Sequence, residues 1–103
     1  MVKKYTKASE KEKVRSELKQ TGPIVVRFYK ATCPACQASE AQWNTFCKSM
    51  KGYKTIAVEE EAIPDELLIH IEGFPTYAKH DSRGNHHVMG VQKDLRSALR
   101  LKD

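Results

Sequence analysis

Cys33 and Cys36 stand one helical turn apart where the apolar run Ile24-Val25-Val26-Arg27-Phe28-Tyr29 ends and a helix-like segment opens at Pro34. Thiolate is the reacting form of cysteine. The free N–H groups and partial positive charge at a helix start stabilise it. Spacing i to i+3 lets the second sulfur reach the first, so the pair can close into a disulfide after one of them attacks a substrate. The same spacing also supplies half of a zinc site, and zinc needs about four ligands. Cys47 and the four histidines, including His86-His87, provide no second close pair at finger-like spacing.

The elements that must hold these thiols can be read from pattern. Ser9 and Glu12 have capping-box spacing, and Val14 and Leu18 lie four apart, which predicts a first helix from about Glu10 to Gln20, stopped by Thr21-Gly22-Pro23. Ile24 to Tyr29 reads as a central strand buried on both faces except at Arg27. Pro34 suits the first turn of the next helix. Trp43, Phe46, Cys47 and Met50 continue that helix with an apolar face that Cys36 shares, so Cys36 is expected to point inward and Trp43 and Cys47 to be core residues. After Gly52, Tyr53 to Val58 reads as a strand. Glu59-Glu60-Glu61 reads as an exposed acidic face, with Glu59 also a potential partner for Arg27.

Pro64-Asp65-Glu66 starts a short helix carrying Leu67, Leu68 and Ile71 and ending at Gly73. Two strands from Thr76 flank a turn at Asp81-Ser82-Arg83-Gly84-Asn85, and Val91, Leu95, Ala98 and Leu99 give the last helix its apolar face. With a short first strand near Tyr5, the order predicts an α/β fold: a central mixed sheet of four to five strands with helices on both faces.

Residues 1–103 suffice for a single domain with one core system. Three cysteines cannot all pair within one molecule and are too few for a secreted disulfide scaffold, so a reducing, cytoplasmic setting is expected. The basic start Met1 to Lys7 is followed by no apolar stretch, which leaves secretion and membrane spanning unsupported. The net charge of +5 comes from 18 basic and 13 acidic residues that intermingle, so no nucleic-acid partner is expected.

Over nearly its whole length the chain resembles the thioredoxin superfamily. The resemblance rests on the strand leading into Cys33-Pro34-Ala35-Cys36 and on Gly73-Phe74-Pro75-Thr76, which is similar to the family loop whose cis-proline faces the active cysteines; Gly90 resembles a further family glycine. It implies a thioredoxin fold and thiol-disulfide exchange, with Cys33 as nucleophile and Cys36 as resolving thiol. Thr32, Pro34, Ala35, Phe74 and Pro75 would contact substrate, the backbone of Phe74 pairing with an extended peptide. No cofactor is implied beyond the redox-active Cys33–Cys36 disulfide. The implied partners are disulfide-containing proteins and an electron source, either a thioredoxin reductase or glutathione, acting on a monomer.

Branches of the superfamily divide over this chain. The G-x-P-T loop resembles thioredoxin or one catalytic domain of protein disulfide isomerase. Lys30-Ala31-Thr32-Cys33-Pro34-Ala35-Cys36 resembles the glutaredoxin pattern, in which the lysine binds glutathione. A thioredoxin-fold binding module without redox turnover is the third alternative. Three positions depart from the family: Thr32 replaces a tryptophan, Phe74 a smaller residue, and Arg27 a buried acid that helps move the proton of the second cysteine. Arg27 and Lys30 are therefore the expected tuning residues, and small virus-encoded thioredoxins look similar.

Overall fold

The computed structural model describes residues 3–101. The chain runs β1 (Lys3–Tyr5), α1 (Lys11–Lys19), β2 (Ile24–Tyr29), α2 (Pro34–Ala38), α3 (Glu40–Ser49), β3 (Lys54–Glu59), α4 (Asp65–Leu68), β4 (Thr76–Asp81), β5 (Gly84–Met89) and α5 (Leu95–Ala98), with single 3₁₀ turns at Ala8–Glu10 and Glu60–Ala62. Among the described residues the strands form one five-stranded sheet of order β1-β3-β2-β4-β5. β1 and β2 both run parallel to β3, while β4 is antiparallel to β2 and to β5. This is the expected mixed sheet covered on both faces, and β2 lies in its middle.

Alternation along β2 divides the core. Val25 faces the layer of Trp43, Phe46, Met50, Leu95 and Leu99 from α3 and α5, with Tyr29 packed against its edge. Ile24, Val26 and Phe28 face Val14, Ile56, Val58 and Ile63 on the side of α1 and α4. Arg27 belongs by this alternation to the first face, so its side chain enters the layer of α2 and α3.

Several boundaries differ from the sequence reading. Ser9 is not the helix cap: Glu10 Oε1 accepts the N–H groups of Thr6 and Lys7 at 3.0 and 3.1 Å, and α1 proper begins at Lys11. The helix expected to run unbroken from Pro34 breaks at Ser39, which has φ −99° and ψ 4°. There Ser39 Oγ donates to Ala35 O at 2.8 Å, a back-bond of the type that bends helices. β3 is shifted one residue onward from Tyr53–Val58, and α4 ends at Leu68, with Ile71 packing from the following turn. The hairpin turn is narrower than expected: Asp81 pairs with Gly84, whose φ of +108° suits the tight reversal, so only Ser82 and Arg83 lie outside the strands. Val91 is not on α5 at all. Asp94 caps that helix by accepting the N–H groups of Arg96 and Ser97, leaving Val91 52% exposed in the loop before it.

One buried ion pair fixes the hairpin to the sheet. Asp81 accepts from Lys79 Nζ at 2.7 Å, Tyr53 Oη at 2.7 Å and the Arg83 N–H at 2.9 Å. The Lys79 ammonium and then the tyrosine hydroxyl hold its carboxyl well below the usual carboxylate range. A group with a depressed folded pKa adds stability that is fully present above its unfolded value, near 3.9, and disappears as pH falls towards the folded one. Asp81→Asn is therefore expected to lower unfolding free energy by about 3 kcal/mol at pH 7, because it leaves Lys79 buried without its counter-charge. Urea titrations from pH 7 to pH 2 should show a flatter acid limb in the variant, and an unchanged limb would exclude Asp81 as its origin.

Candidate active site

Cys33 precedes α2 with an extended backbone, φ −81° and ψ 116°, and its Sγ turns back over the first turn to accept the Cys36 N–H at 3.2 Å. Pro34, at the first helical position, has no N–H left over. From the opposite side the Cys33 thiol donates to Phe74 O at 3.6 Å. The Phe74–Pro75 peptide is cis and Pro75 is buried. The loop is held by Thr76 Oγ1 donating to Gly73 O at 2.7 Å and by the Gly90 N–H donating to Pro75 O at 2.7 Å. Residues forty positions apart in sequence are thereby brought against one sulfur.

The two thiols are unequal. Cys33 is half-buried, while Cys36 points inward and is 2% exposed. Partial burial pushes the Cys33 thiol up. Hydrogen bonds from the Cys36 side chain and from the Cys36 and Ala35 N–H groups, with the charge of Arg27 behind them, outweigh this and hold it below a free thiol. Burial pushes Cys36 up to about 11, reinforced by its hydrogen bond to Cys33 and opposed by the Lys30 main chain and Arg27. All three cysteines are free. Among the described residues no three His, Cys, Asp or Glu side chains converge on a metal position.

Arg27 is buried at 2% exposure. Its Nη2 donates to Cys36 O at 2.6 Å and to Ser39 Oγ at 3.4 Å, and its guanidinium carbon lies 5.0 Å from the Tyr29 ring centroid. The suggested pairing with Glu59 is not made. Glu59 instead accepts the N–H groups of Glu61 and Ala31, at 2.9 and 3.3 Å, and anchors the loop before Cys33 rather than lying idle on an acidic face. Lys30 is exposed, its Nζ 3.9 Å from Glu60 Oε2. Thr32, Pro34 and Ala35 are exposed around Cys33, whereas the Phe74 ring packs against the α1/α4 core and offers its backbone to the site.

Trp43 is fully buried, stacked on Phe46 with centroids 5.5 Å apart, so it is core as expected. Cys47 is half-buried against the same cluster, where burial pushes its thiol up. Sequence reading missed two apolar residues at the rim. Met89 and Val91 flank Gly90, which is bonded to Pro75, and are 54% and 52% exposed. A side-chain carbon on Gly73 would lie 3.0 Å from Met89 Sδ, which places that side chain against the cis-proline loop. Gly90 marks this rim in the sequence, and Val91, although it fits the helical period of Leu95 and Ala98, lies before that helix.

A sheet of this order with a dithiol at a strand-to-helix junction, faced by a cis-proline loop, defines a thioredoxin-fold thiol protein. The family model described as thioredoxin matches residues 2–100, and the chain belongs to the thioredoxin family. No curated protein matches it. Among solved structures it is similar to mitochondrial thioredoxin 3 of Saccharomyces cerevisiae, with 17% identity and TM-score 0.74 over 96% of this chain and 93% of that one. The long form of spinach chloroplast thioredoxin f has 18% identity and TM-score 0.76 over 96% and 84%. Thioredoxin of Trypanosoma brucei brucei has 20% identity and TM-score 0.66 over 77% and 72%. At such identities the likeness is one of fold. Among the described residues no helix is long and apolar enough to cross a membrane.

Reduced protein treated with iodoacetamide near pH 7 should be alkylated first at Cys33, with Cys36 and Cys47 slower by at least about tenfold because they remain thiols. Peptide mapping over a time course measures this. First labelling at Cys36 or Cys47 would reverse the assignment of roles.

Proposed function

We propose that this protein is a thiol-disulfide oxidoreductase acting on disulfides of protein substrates. Cys33 thiolate attacks the substrate disulfide and forms a mixed disulfide, and Cys36 then attacks Cys33 and releases the reduced substrate. The observation that carries this reading is the Cys33 sulfur: partly exposed, bonded to the Cys36 N–H, and set against the Phe74 carbonyl of the cis-proline loop. The exposed side chains of Thr32, Pro34, Ala35, Met89 and Val91 supply a mostly apolar rim for an extended segment, and the Phe74 backbone supplies its pairing edge. A thioredoxin reductase or glutathione would return the electrons, in a reducing compartment such as the cytoplasm.

A glutathione-dependent reading is favoured by one feature, the exposed Lys30 ammonium three residues before the nucleophile. Insulin reduction by the wild type, abolished in Cys33→Ser, is the expected result and would exclude a binding module without turnover. Glutathione-driven reduction of a small mixed disulfide should be slow. If it is instead efficient and lost in Lys30→Ala, the protein belongs on the glutaredoxin branch.

The dithiol should also be more oxidising than an ordinary thioredoxin at about −270 mV. The Ala35 N–H and the Arg27 charge both favour the Cys33 thiolate and hence the reduced form. A rise of about 30 mV corresponds to about 1.4 kcal/mol, within the range of one charge-assisted hydrogen bond. Redox titration in glutathione buffers should find the wild type above −270 mV and Arg27→Ala lower than the wild type. A wild-type potential at or below that reference would refute the expectation, and equality of the two proteins would leave only the Ala35 contribution.

A further inference from the structure

Resolution of the mixed disulfide requires Cys36 to lose a proton, and burial makes this costly. The strand residue behind it cannot take that proton: Arg27 presents a guanidinium, which has five donors and no acceptor. A cavity of about 190 Å³ lies on this side of Cys36, lined by Cys36, Arg27, Tyr29, Lys30, Gln37 and Glu40 among others. Each of these groups can be considered as a base. Lys30 is a cation and Gln37 a neutral amide. Burial pushes the Tyr29 phenol up, so it stays protonated near neutrality. Glu40 is the one carboxylate in the lining.

Two further observations connect Glu40 to the thiol. Arg27 Nε is buried with no acceptor among the described residues, an unpaired donor on a side chain that lines the same cavity. The volume has room for several waters. Glu40 is half-exposed on α3, and the exposed contact of its Oε1 with Lys4 Nζ at 3.1 Å leaves it oxygen lone pairs for water. The nearby acids are engaged elsewhere, Glu59 with the Ala31 and Glu61 N–H groups and Glu60 facing Lys30 at 3.9 Å.

We infer that Glu40, through water in the cavity it shares with Arg27 and Cys36, is the proton acceptor for the resolving thiol. This rests on the dithiol reading above. As Cys36 Sγ attacks Cys33 Sγ, its proton passes through water to the Glu40 carboxylate. The Cys33–Cys36 bond forms, the bond from Cys33 to the substrate sulfur breaks, and the substrate leaves as a thiolate that takes up the proton. In the reverse direction protonated Glu40 returns a proton to Cys36 as it leaves. Arg27 provides fixed positive charge beside the nascent thiolate, so field and proton acceptance are divided between a strand and a helix.

The test uses the reduced protein and 5,5′-dithiobis(2-nitrobenzoate) in a stopped-flow spectrophotometer. Attack by Cys33 releases one coloured thiolate in a first phase, and attack by Cys36 on the mixed disulfide releases a second. Glu40→Gln should leave the first phase unchanged and slow the second by at least about tenfold at pH 7, in the range of general base catalysis. The two proteins should converge at high pH, where Cys36 ionises unaided. Lys4→Gln keeps the carboxylate and should leave the second phase within about twofold. Equal second phases in Glu40→Gln and wild type at pH 7 would overturn the inference. So would a slow phase that fails to converge at high pH, or one that Lys4→Gln reproduces, since either makes Glu40 structural. If the wild type shows no second phase at all, it is the dithiol reading that fails.

Discussion

A guanidinium sits inside this protein and, among the described residues, no carboxylate lies within ion-pair distance of it. Removing such an ion from water costs several kcal/mol even after the surroundings relax. Arg27 has offsets of three kinds: a short hydrogen bond to the Cys36 carbonyl, a weaker one to Ser39 Oγ, and the π face of Tyr29. It has no freedom to leave, because β2 is the middle strand of the sheet and both faces are covered. Every residue around it therefore answers to that charge. The helix breaks at Ser39 within reach of it, the Cys36 carbonyl is held by it, and negative charge at the paired sulfurs is favoured by it.

The same constraint explains how two identical side chains one turn apart come to behave oppositely. Cys33 lies before the helix, where N–H groups point at its sulfur and solvent reaches it. Cys36 lies one turn in, on the buried face, and has lost that solvation. Arg27 favours both thiolates, but for Cys36 burial is the larger effect. The result is one thiol whose ionisation is favoured and one whose ionisation is opposed. Pairs of titrating groups pushed apart by their environments are how a site divides labour between nucleophile and reserve.

Much of this was legible in the chain. Cys33-Pro34-Ala35-Cys36 after a β-branched run, and Gly73-Phe74-Pro75-Thr76 some forty residues on, locate both halves of the site, because strand ends, helix starts and proline loops are set by local chemistry. The inward direction of Cys36 followed from its place one heptad before Trp43. What failed was local pattern applied across an element boundary. Val91 fits the period of Leu95 and Ala98, yet Asp94 caps the helix after it. Ser9 and Glu12 have the right spacing for a cap, yet Glu10 reaches back to Thr6 and Lys7 first. The periodicity from Pro34 fits an unbroken helix, and the break comes where Ser39 Oγ bonds back to Ala35 O and meets Arg27 from another element.

The sequence by itself determined the element order, the two apolar faces and the position of the cysteine pair, since each depends on residue type and short-range spacing. Only the tertiary structure decided the partners of Arg27. Glu59, the charged residue the sequence offers as its partner, is taken up by the N–H groups of Ala31 and Glu61, and the main-chain carbonyl of Cys36 on α2 takes its place. Only the tertiary structure, too, placed Met89 and Val91 beside Pro75 and put Glu40 on a cavity with Cys36. These are meetings between residues far apart in the chain or on successive helices. They depend on sheet register and on the angle at which a helix breaks, and neither is encoded in any local stretch of residues.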